Sequence, residues 1–240
     1  MSTYVLIHGA WHGAWCWSKV APILRQKGHT VLTPDLPGHG EDKTPVAEIT
    51  LERYSDSVVR LLDQQPRPVI LVGHSMGGLV ISEAAEKRPE KIEALVYVCA
   101  FLLRNGETLG GVAERDANAL VMPNLVVSED QVSARLKDSI IKPTFYTNCS
   151  WQDAASAQAR LSPQALAPFM TPLQLTESKF GRVPRHYVEC TRDRAISIDI
   201  QREMHSNSPC RKVHTLETDH SPFLSTPHEL ASILLSVDVR

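Results

Sequence analysis

The 240-residue sequence predicts an α/β fold: a six-stranded, mainly parallel sheet flanked by helices, with a helical insertion after the fourth strand. Three observations predict it. Six short runs read as strands, and most of them are apolar along their whole length, as strands covered on both faces must be. Amphipathic stretches of helical period separate them, and parallel neighbours need such crossovers. One long segment, residues 101–179, breaks that alternation.

The first strand, Tyr4–His8, leads through a loop rich in glycine and tryptophan to a helix over Trp17–Lys27. Thr30–Pro34 is the second strand, and Leu51–Gln64, with apolar residues on one face, is the next helix. Val69–Gly73 is aliphatic up to its closing glycine and reads as a core strand, followed by a helix over Gly77–Arg88 and the strand Ala94–Val98. His186–Cys190 and Lys212–Leu216 complete the six, with helices over Ser197–Ser206 and Pro227–Val237. Between them, residues 101–179 show no convincing strand but several short helical patterns, many prolines and scattered aromatics at Phe145, Tyr146, Trp151 and Phe169. A structureless loop of that length does not suit a compact domain. The segment therefore reads as a helical cap on a core made of residues 1–100 and 180–240. It leaves from the carboxyl edge of the sheet, where open α/β sheets bind ligands.

Composition excludes several classes of function. With 42% hydrophobic and 22% charged residues and a net charge of −2, the chain supports one domain with a full core. A near-neutral balance without a Lys/Arg block argues against nucleic acid and membrane surfaces as partners and leaves a small molecule, with association into a homodimer left open. The start of the chain carries no basic, then apolar, leader pattern, and no stretch is long enough to span a bilayer, so a cytoplasmic protein is expected. Cys16, Cys99, Cys149, Cys190 and Cys210 are widely spread without a CxxC pair and read as free thiols of a reducing compartment.

Gly73-His74-Ser75-Met76-Gly77 carries the chemistry. Gly-x-Ser-x-Gly alone is weak, because it arises by chance in roughly one chain in ten of this size. Here a strand precedes it and a helix follows, the context in which a serine on a sharp turn stands above the sheet at a helix N-terminus. A serine hydroxyl is a poor nucleophile without a base. His220 lies just past the last strand, at the same edge as Ser75. His186 and His214 sit in strands and read as structural, whereas His29, His39, His205 and His228 fall in turns or helices expected to face solvent. Asp193 follows the fifth strand and completes the order Ser75, Asp193, His220. Asp219, adjacent to His220, is poorly placed to bend back to its imidazole and ranks lower.

Acyl chemistry also needs donors for the charge that develops on a carbonyl oxygen. The N–H of Met76, after the nucleophile, and that of Ala10, in the loop after the first strand, are the candidates for this oxyanion hole. His8 and His12 have the i, i+4 spacing of metal-binding HExxH, but no glutamate lies between them and the region is strand and turn, so no metal is expected. Trp11, Phe145, Tyr146, Trp151 and Phe223 are the candidate pocket residues.

The runs HGAWHGAWCW, DLPGHG, GHSMGG, FYTNCSWQDAASAQARLSP and CTRD together resemble the α/β-hydrolase superfamily, and within it the plant methylesterase and hydroxynitrile lyase family. The likeness extends from the first strand to the last helix but is poor from about Thr108 to Ile140. It implies a six-stranded parallel sheet, a helical cap, no cofactor, and a triad on Ser75, Asp193 and His220. Lyase members of that family typically carry a lysine after the catalytic histidine and a threonine in the first loop. Here Ser221 and Gly9 stand at those places. Without a fixed cation to stabilise cyanide, the resemblance implies an esterase acting on methyl or short-alkyl esters of small acids, aromatic ones included. Cyanohydrin cleavage and a non-catalytic small-molecule receptor are the alternatives.

Overall fold

The computed structural model describes residues 1–237, so the predicted core segment runs three residues beyond it. β1 (Thr3–Ile7) is followed by a short 3₁₀ turn at Ala14–Ser18, which delays α1 to Val20–Gln26. β2 (Thr30–Leu32) and α2 (Leu51–Asp63) come next, the helix capped by Thr50, whose Oγ1 accepts the Arg53 N–H at 3.0 Å. β3 (Val69–His74), α3 (Gly77–Lys87) and β4 (Ile92–Val98) complete the first half. The intervening segment holds α4 (Leu109–Ala113), β5 (Leu125–Val127), β6 (Ser133–Leu136), α5 (Asp138–Phe145), α6 (Trp151–Gln158), β7 (Gln164–Ala165) and α7 (Ala167–Met170). The chain then returns through β8 (Arg185–Cys190), α8 (Ile198–Asn207), β9 (Lys212–Leu216), α9 (Pro222–Ser225) and α10 (Pro227–Leu235).

The six predicted strands form one parallel sheet in the order β2-β1-β3-β4-β8-β9. Every residue of β3 is buried, and β1 and β4 are nearly so, which explains their unbroken apolar runs. Edge strand β9 is mostly exposed and correspondingly polar. The strand order reverses between β1 and β3, so their carboxyl ends flank a topological switch point. There the loops beginning at His8 and Ser75 meet.

Residues 101–179 contribute nothing to this sheet but are not purely helical as expected. β5, β6 and β7 form a small antiparallel sheet, pairing Val126 with Arg135 and Ser133 with Ala165. Hydrogen bonds sew the segment to the core: Asn148 N–H to Asp219 Oδ2 at 2.6 Å, Ser162 N–H to Trp11 C=O at 2.9 Å, and Leu120 N–H to Arg194 C=O at 2.8 Å. Lys19 adds an ion pair with Asp153 at 2.8 Å. No helix among the described residues is long and apolar enough to cross a membrane.

Candidate active site

Ser75 sits where β3 stops and α3 begins, with φ of 53°, the left-handed region that costs a non-glycine residue roughly 1–2 kcal/mol. Backbone hydrogen bonds hold it there. Its N–H donates to Val98 C=O at 3.3 Å, and its C=O accepts the N–H groups of Gly78 at 3.0 Å and Phe101 at 3.1 Å. Small neighbours are a steric requirement. A Cβ on Gly77 would lie 2.9 Å from the carbonyl oxygens of Ile7 and His8, and one on Gly9 would lie 2.7 Å from Ser75 Cβ. The two loops of the switch point pack against each other with no room for a methyl group.

The structure brings Asp193 and His220 together. Imidazole Nδ1 lies 2.6 Å from Asp193 Oδ2, and both side chains are almost wholly buried. The carboxylate is itself held: Oδ1 accepts the N–H groups of Ala195 at 2.7 Å and Ile196 at 3.0 Å, while Oδ2 also accepts Gln201 Nε2 at 3.2 Å. Gln201, on α8, further accepts the Cys190 N–H at 3.0 Å and donates to Ile196 C=O at 2.8 Å. A glutamine on an amphipathic helix gives no sequence signal of such a role. On the other side, His74 Nε2–H donates to His220 C=O at 2.8 Å, and the two rings lie 4.6 Å apart. Burial and the neighbouring histidines hold His74 well below the usual histidine range, so it is the neutral partner.

Asp219 points elsewhere. Its carboxylate accepts the N–H groups of Asn148 at 2.6 Å and Ser221 at 3.1 Å, and the Ser225 hydroxyl at 3.0 Å. Burial raises its pKa against the pull of those donors. It anchors the loop that bears His220 and does not orient the ring.

A cavity opens above Ser75. Ala10 and Met76 line it, and neither N–H has a hydrogen-bond partner among the described residues. Serine apart, the lining is apolar: Trp11, Phe101, Leu109, Met122, Phe145 and Phe169 among others. Two of the five candidate pocket residues, Trp11 and Phe145, therefore line it, and three do not. Trp151 is 79% exposed, with Lys142 Nζ lying 4.3 Å from its ring centroid on the outer surface. Phe223 is fully buried below the site, edge-on to His74 at 4.8 Å. Tyr146 is buried too, with its hydroxyl committed to His12 Nε2 at 2.8 Å. Because burial pushes His12 down to about 3, its ring is neutral. Its one N–H, on Nδ1, donates to Ala10 C=O at 2.8 Å, leaving Nε2 to accept from Tyr146.

His39 departs from its expected solvated place. It is buried, lying 2.9 Å from Tyr54 Oη and 3.1 Å from Ser162 Oγ, because the turn that carries it is roofed by the intervening segment. His8 and His12 point apart, His8 accepting the Leu36 N–H at 3.0 Å. Among the described residues, the side chains close enough to gather round an ion are His74, Cys99 and His220, with ligand atoms within 4.8 Å of one another. His74 Nε2 and His220 Nδ1 are already engaged there.

A model of the alpha/beta hydrolase family matches residues 4–233. Putative methylesterase 14, chloroplastic, of Arabidopsis thaliana is 35% identical over 98% of this chain and 71% of its own length. Methylesterase 2 of the same plant is 35% identical over 98% of this chain and 95% of its length. The crystal structure of polyneuridine aldehyde esterase superposes with a TM-score of 0.88 at 26% identity, covering 98% of each chain.

Proposed function

The chain belongs to the alpha/beta hydrolase family and is a carboxylic ester hydrolase; from that premise we propose that Ser75, His220 and Asp193 are its nucleophile, general base and orienting acid. One observation carries the assignment: among the described residues, Ser75 brings the only hydroxyl to an otherwise apolar cavity, whose one other side-chain N–H, on Trp11, is spent on Ala134 C=O. A hydroxyl on a strained turn with no structural partner there is placed to react rather than to bind the fold together.

His220, with Nδ1–H fixed on Asp193, takes the serine proton through Nε2 as Ser75 Oγ attacks the ester carbonyl. The carbonyl oxygen gains charge and is received by the free N–H groups of Ala10 and Met76. Collapse expels the alcohol with the proton from His220, leaving an acyl-enzyme. Water, deprotonated in turn by His220, then releases the acid. Residues 101–179 are the cap in this reading, and the apolar cavity supports methyl or short-alkyl esters of small, apolar, including aromatic, acids as substrates. No cofactor enters the scheme.

Gly9 and Ser221 weigh against a lyase. A threonine at residue 9 meets the Ser75 side chain, and Ser221 brings no cation, its buried hydroxyl having no partner among the described residues. Free thiols at Cys16, Cys99, Cys149, Cys190 and Cys210 support the cytoplasm as the compartment. Replacing Ser75 or His220 by alanine is expected to lower kcat on methyl esters by about 10⁴-fold or more, measured on protein of unchanged melting temperature. Near-wild-type hydrolysis by Ser75→Ala would falsify the assignment, and saturable ligand binding without product would favour the receptor.

A further inference from the structure

The cavity above Ser75 has a second cleft beside it, and one lining residue is common to both. Trp11 lines the apolar chamber and also a neighbouring cleft, whose other walls include Arg135, Asp138, Gln158, Leu161 and Ser162. Arg135 and Asp138 are exposed, so the cleft leads outward. Trp11 is only 6% exposed, and its ring is fixed on several sides. Nε1–H donates to Ala134 C=O at 2.9 Å, and the rings of Phe145 and Phe169 lie 5.8 and 5.9 Å away. Its backbone has φ of 63°, and its C=O accepts the Ser162 N–H at 2.9 Å. A bulky side chain in the left-handed region is costly, so the fold tolerates strain here to put an indole at this point.

We propose that Trp11 is a specificity-determining residue: its indole is the partition that closes the acyl chamber and confines substrates to short or compact acyl groups. The inference rests on the esterase reading with Ser75 as nucleophile. In that reading the acyl group stays bonded to Ser75 Oγ while the alcohol departs, so the acyl chain has to fit inside the chamber. Without the indole, the chamber and the cleft become one channel, and a long chain threads from Ser75 toward Arg135 and Asp138 at the surface.

The test compares p-nitrophenyl acetate with p-nitrophenyl decanoate on wild type, Trp11→Gly, Trp11→Leu and Trp11→Phe. Glycine accepts positive φ without strain, so Trp11→Gly recovers part of the stability lost with the ring; Trp11→Leu is the second truncation if the glycine variant fails to fold. Damage to the adjacent Ala10 donor lowers kcat on both esters alike and cancels in their ratio of kcat/KM. The expected result is a rise of at least about tenfold in the decanoate-to-acetate ratio for the truncated variants, with Trp11→Phe, which keeps a ring but loses the bond to Ala134, within about threefold of wild type. A ratio unchanged in folded Trp11→Gly or Trp11→Leu overturns the proposal, as does an equal shift in Trp11→Phe. A matched series varying only the alcohol should show no such shift; a shift confined to it also overturns the proposal. Failure of the esterase reading looks different, since wild type then hydrolyses neither ester, or Ser75→Ala hydrolyses both.

Discussion

Two neighbouring carboxylates, Asp193 and Asp219, show how buried acids divide their work by the donors they face. Asp193 spends one oxygen on two backbone N–H groups and offers the other to the His220 ring. Changing it to Asn keeps the volume but presents an amide N–H to imidazole Nδ1, which favours the wrong tautomer; a loss of about 10⁴-fold in kcat is expected. Asp219→Asn leaves the ring's partner in place. It weakens the bonds from Asn148, Ser221 and Ser225, so the expected cost is about 1–3 kcal/mol of stability with a much smaller loss of kcat. Steady-state kinetics and thermal melts on both variants check the opposite rankings. The choice between the two was legible in the sequence, because an adjacent residue can hardly fold back onto its neighbour's ring. What Asp219 does instead was not, since its partner Asn148 lies 71 residues away in a segment without pattern.

At the scale of elements, the close approach of β1 and α3 is the device that positions Ser75. Gly77→Ala places a methyl group against the carbonyls of Ile7 and His8, so α3 has to back away and take the Met76 N–H with it. Overpacking of this kind costs about 1–3 kcal/mol. A fall in melting temperature together with a fall in kcat is the expected outcome, and an unchanged kcat/KM would show that the α3 N-terminus need not touch β1. Elements like these are readable because burial on both faces writes itself into an unbroken apolar run. β5, β6 and β7 leave no such trace. β7 is two residues long, too short for any alternation, and it pairs with β6 across a gap of some thirty residues. Trp151 shows the same limit for single residues: an aromatic in an apolar context says nothing of which face it takes, and this one lies outside under Lys142.

At the scale of the whole molecule, four of the six buried histidines among the described residues, His8, His12, His39 and His74, are held in the neutral form. Burial pushes His12 down to about 3 and His39 to about 4, and holds His8 and His74 well below the usual range. In the unfolded chain each binds a proton below about pH 6.5. The unfolded state then carries more protons than the native one, so stability is full above that pH and falls as pH drops toward the folded values. Each histidine adds up to about 1.4 kcal/mol per pH unit, so the four together approach about 5 kcal/mol per unit. Asp219 and Glu83, raised by burial, act in the opposite sense but are fewer. Against a typical stability of about 5–15 kcal/mol, acid unfolding is expected with a midpoint near pH 5. Urea melts at pH 7.5, 6.5 and 5.5 check it; stability unchanged across that series would mean that these rings are protonated within the fold.

Residues 101–179 leave after β4 and the chain returns in β8, and these are adjacent strands, with Val98 paired to Val188. The two ends of that segment are therefore neighbours, held together by the sheet whatever lies between them. Chain closure over such a gap depends only weakly on the length enclosed. In terms of inheritance, the stretch between those strands is a part that descent can lengthen, shorten or recast without shifting a strand. What has to be passed on jointly is a short set of seams, Asn148 with Asp219, Tyr146 with His12 and Ser162 with Trp11. A chimera that trades the insert but preserves those seams keeps its chemistry and changes its guest.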